Sequence, residues 1–167
     1  MDPAQWVDVL AEAAPRFTQG VPLFSSALGD LFVWLGEHLH VLEFRSGTSR
    51  ILTNSLDTFV VIAAYESFLQ DPDYFDWAPW PEARELVGVP EADECLGFTP
   101  LLALGGRRSA ETLQRVAMRE HLLLIASLAG PSTEPGPVQT LRRSSGGAAD
   151  DPVPALRRRG GGAANNY

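Results

Sequence analysis

The chain has 167 residues, with 21 acids against 13 bases, one cysteine and a net charge of −8. That length fits one domain with some extra chain, able to bury roughly 70% of the surface its unfolded form exposes without disulfide support. The lone Cys95 excludes an intrachain disulfide, and no run of about 18 apolar residues exists to span a membrane. Met1-Asp2-Pro3 opens without the basic and apolar regions of a signal peptide, so a reducing, cytoplasmic setting is expected.

The charge is uneven. Residues 131–167 hold three acids and five arginines, leaving 18 acids and 8 bases to residues 1–130. A body that acidic repels phosphate backbones and attracts basic partners.

Asp2-Pro3 suits a helix start, and Trp6, Val9, Leu10 and Ala13 then share one helical face up to Pro15. Gly20 and Pro22 read as loop. Leu31–Leu35, His38–Phe44 and Arg50–Thr53, separated by Gly36-Glu37 and Ser46-Gly47, read as a β-meander. Asn54 or Ser55 caps a second helix with Leu56, Phe59, Val60, Ala63 and Phe68 as its apolar positions, ended by Asp71-Pro72. Residues 71–94 look irregular apart from a short helix near Pro81–Val87. Phe98 to Leu104 reads as a further strand. Ser109 is a candidate cap for a last helix, with Leu113, Val116, Ala117, Leu124 and Leu128 facing inward and Gly130-Pro131 as its stop. From 131 onward Pro, Gly, Ser, Ala and Arg dominate, the composition of a disordered tail. The expected fold is α+β: a small antiparallel sheet packed by about three helices over residues 1–130, followed by the tail.

Catalytic signatures are absent from the sequence. There is no Gly-x-Ser-x-Gly elbow, and Ser25, Ser26, Ser55 and Ser109 fall at loop or cap positions. His38 and His40 share a strand face, but a metal site also needs Cys95 and His121 to converge on them. Neither metal nor cofactor is expected. Leu104-Gly105-Gly106-Arg107-Arg108 places glycines and arginines ahead of the last helix, where anions can bind, yet it lacks a phosphate-loop pattern and reads as a tight turn. Arg157-Arg158-Arg159-Gly160-Gly161-Gly162 only loosely resembles a nucleic-acid-binding segment, so no direct nucleic-acid contact is expected.

The segment that stands out is 71–94. It holds eight acids against Arg84, with Tyr74, Phe75, Trp77 and Trp80 interleaved among the first of them. Aromatics anchor interfaces, and carboxylates around them would steer a basic partner. The candidate partner-binding residues are Asp71, Asp73, Tyr74, Asp76, Trp77, Trp80, Glu82 and Glu85. The competing reading makes the aromatics core and the acids a solvated face.

The stretch Glu94-Cys95-Leu96-Gly97-Phe98-Thr99-Pro100, the Leu104-Gly105-Gly106 that follows and Glu120-His121-Leu122 resemble the C-terminal domain of the type VI secretion immunity protein Tdi1 family. Gly29-Asp30-Leu31-Phe32-Val33 resembles that family's first strand. Asn54-Ser55-Leu56 is similar both to the start of its helix and to SUKH-type (SMI1/KNR4-like) immunity proteins. The resemblance covers roughly 24–130; residues 1–23 are too short for the GAD-like domain often found ahead of this module, and the tail has no counterpart. It implies a non-catalytic antitoxin that binds and blocks a cognate toxin, often a nuclease. It also implies architectural roles for Glu94, Gly97, Phe98, Pro100, Leu104, Gly105, Gly106 and His121. The alternatives are a regulatory or scaffold protein-binding domain of the same fold, and a small metal-dependent enzyme using the three histidines.

Overall fold

A computed structural model describes residues 4–71 and 75–129. Helix α1 (Ala4–Ala13) leads into β1 (Val21–Ser25), β2 (Leu31–Leu35), β3 (His38–Glu43) and β4 (Thr48–Thr53), which form an antiparallel sheet in sequence order. Helices α2 (Leu56–Ala63), α3 (Glu66–Gln70) and α4 (Trp80–Val87) follow. A two-stranded antiparallel sheet of β5 (Glu94–Phe98) and β6 (Leu113–Ala117) comes next, and α5 (Met118–Ala129) closes the described chain. The architecture is α+β as expected, with five α-helices rather than about three among the described residues.

The apolar run Leu31–Leu35 does not alternate with polar residues because the sheet is covered on both faces. Leu31, Val33 and Leu42 pack with Trp6, Val9, Leu10 and Ala13 of α1 and with Leu122 and Ile125 of α5. Phe32, Leu39 and Val41 pack on the other face with Phe75, flanked by Phe59 and Phe68. A third cluster joins Leu28, Ala83, Leu96, Phe98 and Leu113, sealing the β5–β6 sheet against α4. A main-chain bond ties this second sheet to the β1–β2 turn, the Leu96 amide donating to the Ala27 carbonyl at 2.7 Å, and the Met118 amide extends the β5–β6 pairing to the Asp93 carbonyl at 2.9 Å.

Five local expectations are corrected. Residues 21–25 form edge strand β1 rather than loop; Pro22 is tolerated there because an edge strand can spare an amide donor. The second helix is two, interrupted at Ala64-Tyr65, with Ser55 as cap: its Oγ accepts from the Thr58 amide at 3.2 Å. The strand placed at Phe98–Leu104 lies earlier, at Glu94–Phe98, and Leu102–Leu104 is a 3-10 turn. Ser109 precedes another 3-10 turn and makes no side-chain cap bond; residues 113–117 are β6, and the helix starts at Met118. Leu124 and Leu128, expected inside, are exposed, because α5 buries Leu122 and Ile125 instead. Asp2-Pro3, Gly130-Pro131 and the 131–167 tail lie outside the described residues.

Candidate partner-binding surface

The aromatics of the 71–94 segment point inward. Phe75 is fully buried, with ring centroids 5.8 Å from Phe32, 5.3 Å from Phe68 and 5.5 Å from Trp77. Half-buried Trp80 packs with the cluster that contains Ala83, Leu96 and Phe98. Trp77 and Trp80 are therefore supports of the segment rather than free anchors. Tyr74 and Asp73 lie outside the described residues.

What holds the segment on the sheet is Asp30, which the sequence reading did not single out as a site. Its Oδ2 accepts from Ser26 Oγ at 2.8 Å, Arg45 Nη1 at 3.0 Å and Trp77 Nε1 at 3.1 Å. Arg45 Nη2 in turn donates to the Phe75 carbonyl at 2.7 Å. Asp30 is buried, and desolvation pushes its pKa up while the Arg45 guanidinium opposes the shift. Glu43 and Arg50 extend the network, with Arg50 Nη2 on Glu43 Oε1 at 2.7 Å. A single acid at the start of an apolar strand carries no local pattern. Only the fold brings Arg45 and Trp77, 15 and 47 residues away in sequence, onto it.

The acids divide in two. Asp71 is half-buried, and Asp76, in left-handed backbone at φ 53°, is ion-paired with Arg108. Glu94 binds Arg115 at 2.6 Å and accepts the Glu91 amide at 3.0 Å; the amide first and the guanidinium second hold its pKa below the usual carboxylate range. By contrast Glu82 and Glu85 stand exposed on α4. Helical spacing places Leu86 (57% exposed) beside Glu82, and Val89 (61% exposed) follows in the chain after α4. These two apolar side chains, which the sequence reading passed over, are exposed in the same acidic stretch of chain.

Several residues of the 94–122 block sit at tightly packed or left-handed positions. Gly97 is covered by the His121 imidazole: a Cβ on Gly97 would lie 2.5 Å from Nε2. Phe98 is buried. Gly105 sits at φ 84°, and a Cβ on Gly106 would overlap the Pro100 carbonyl. Leu104 is exposed. The Gly105-Gly106 turn leads into a 3-10 turn and β6 rather than into the final helix. Burial lowers the His121 pKa. On the sheet, His40 packs edge-on against Phe17 at 5.3 Å and lies 6.5 Å from His38; burial first and His38 second lower its pKa. Burial drives the Cys95 thiol up to about 12. Among the described residues no three His, Cys, Asp or Glu side chains gather as metal ligands. None of the described helices is long and apolar enough to cross a membrane.

No curated protein matches the chain in sequence. In structure it is similar to Atu4351 from Agrobacterium tumefaciens, at 14% identity and a TM-score of 0.57, over 75% of this chain and 64% of that one. The chain thus spans less than two thirds of that protein, and the likeness is one of fold. The family model described as T6SS immunity protein Tdi1, C-terminal, matches residues 53–129, from the end of β4 to the end of α5. Over that span the chain is similar to the C-terminal domain family of the type VI secretion immunity protein Tdi1.

Proposed function

We propose that the chain is an antitoxin of the cytoplasm that neutralises a cognate secreted toxin by binding it, without catalysis of its own. The observation that carries the reading is the outer face of α4 and its exit, where Glu82, Glu85, Leu86 and Val89 are all exposed within one short stretch. Exposed apolar side chains in an acidic stretch suit a basic protein surface: the apolar contacts supply affinity and the carboxylates speed encounter. A nuclease, whose cleft must attract phosphates, offers such a surface, and an acidic protein laid over it would exclude nucleic acid. Trp77 and Trp80 pack with Ala83 of α4 and hold this face in shape from beneath.

The test pairs the full-length chain with the toxin encoded beside it. Charge reversal at Glu82 and Glu85 together is expected to weaken binding about a hundredfold or more and to abolish protection of toxin-expressing cells, with the unfolding midpoint unchanged. Full affinity in that double variant would sink the choice of face. A second reading, a regulatory or scaffold module, is favoured by a different surface. Val60 and Val61 of α2, exposed at 66% and 60%, lie near the edge strand whose Phe24 ring is 5.5 Å from Phe59. Loss of toxin binding on Val60→Asp, with Glu82 and Glu85 intact, would move the interface there.

A further inference from the structure

An open cleft of about 480 Å³ lies between the 44–47 turn that follows β3 and the 3-10 turn at Leu102–Leu104. Phe44, Leu102, Ala103 and Ile125 form its apolar walls, and Arg45 and Arg108 bring the charge. Its volume falls within the range of small-ligand sites. No carboxylate lines it, although residues 1–130 hold 18 acids against 8 bases. The acids that pair with its two arginines, Asp30, Glu43 and Asp76, are all absent from the lining.

The two guanidinium groups differ in availability. Arg45 is buried and fixed by Asp30 and the Phe75 carbonyl, so its charge is part of the floor. Arg108 is half-exposed and pairs with Asp76 through Nη1; its other nitrogens have no hydrogen-bond partner among the described residues. A smaller recess shares Arg45, Leu102, Ala103 and Ile125 with the cleft and is bounded by His121, whose imidazole also makes no hydrogen bond among the described residues. Unused donors beside an apolar wall, with carboxylates kept off the surface, are what an amphiphilic anion needs: a charge-assisted bond at one end and contact area at the other.

We propose that this cleft binds a small carboxylic acid with an apolar body, its carboxylate on Arg108 beside Arg45 and its body against Phe44, Leu102 and Ile125. The site is separate from the α4 face and does not depend on the toxin reading. The probe is 4-phenylbutanoate, titrated into the isotope-labelled full chain and followed by amide shifts, with the neutral 4-phenylbutanamide as control. Shifts are expected to saturate and to centre on residues 44–47, 101–108 and 125, with the amide at least about tenfold weaker. Arg108→Gln is expected to weaken the acid about tenfold, while Asp76→Asn, which removes the competing carboxylate, tightens it. Opposite signs from the two variants separate ligand binding from loss of the Arg108–Asp76 pair, which both break. Equal binding of acid and amide, an unchanged affinity in Arg108→Gln, shifts centred on α2 and β1, or no saturation would each overturn the proposal.

Discussion

Gly97→Ala is expected to destabilise the fold by about 1–2 kcal/mol, and only because His121 is there. In a strand interior, alanine in place of glycine gains roughly 0.5–1 kcal/mol from the unfolded chain's lost freedom. Here the added Cβ would meet three atoms of the imidazole, with Cε1 and Nε2 (2.5 Å) well inside contact distance and Nδ1 at 3.0 Å. The ring belongs to α5, whose Leu122 and Ile125 are locked in the core, so it has little room to retreat. Overpacking of that kind costs about 1–3 kcal/mol, more than the strand gains. His121→Ala removes the ring and leaves a shallow gap, itself destabilising. In that background Gly97→Ala should become neutral or stabilising by up to about 1 kcal/mol. The double-mutant cycle then carries a favourable coupling of about 2 kcal/mol. Urea unfolding of the four proteins, at matched slopes, measures it. An equal cost of Gly97→Ala with and without His121 would refute the contact as the reason for glycine at 97.

Gly105→Ala should cost about 1–2 kcal/mol through its left-handed backbone alone, since a Cβ there meets nothing. Gly106→Ala should cost more, because its Cβ would overlap the Pro100 carbonyl and backbone must move; thermal melts that rank the two the other way would count against this. Trp77→Phe keeps most of the ring but removes the N–H that Asp30 accepts, and is expected to cost about 1–3 kcal/mol. Trp80→Phe, with no such bond among the described residues, should cost less by the same unfolding assay. Burial depresses the pKa of both His40 and His121. Each group therefore favours the unfolded state once protonated. Their contribution is present above the unfolded value of about 6.5 and is lost as pH falls through the folded values. Stability should decline below about pH 6.5 by no more than about 1.4 kcal/mol per pH unit per histidine. His121→Ala should flatten that slope.

The parts of the fold legible in the sequence are those where local pattern and tertiary context agree. The β2–β3–β4 meander and the buried face of α1 were readable because turn residues and apolar spacing fall where the structure uses them. Strand β1 was not, since Gly20 and Pro22 signal a turn and an edge strand accepts both. The 109–129 stretch misled for a different reason. Its apolar residues fit one long helix, but Thr99 donates to the Thr112 carbonyl and the next five residues pair with β5, which splits the pattern into a strand and a shorter helix. Of the candidate partner-binding residues, Glu82 and Glu85 are exposed, as a contact face requires. Asp76 is committed to Arg108 and the two tryptophans to the interior.

The 71–94 segment looked like a row of aromatic anchors among acids because sequence shows which residue types are neighbours but not which way each one points. Asp30 decides that. By accepting Trp77 and holding Arg45, which in turn holds the Phe75 carbonyl, it turns the aromatics toward the sheet. Acids without arginine partners are then left on the outside. The same turn exposes Leu86 and Val89, which in sequence read only as the end of a short helix. A protein that must meet a basic partner needs its carboxylates mobile and its anchors few, because a fully desolvated charge gains little unless it is paired. Two sets of acids result: buried Asp30 and Glu43 are paired with Arg45 and Arg50 and serve the fold, while Glu82 and Glu85 stay exposed, as the proposed interface requires.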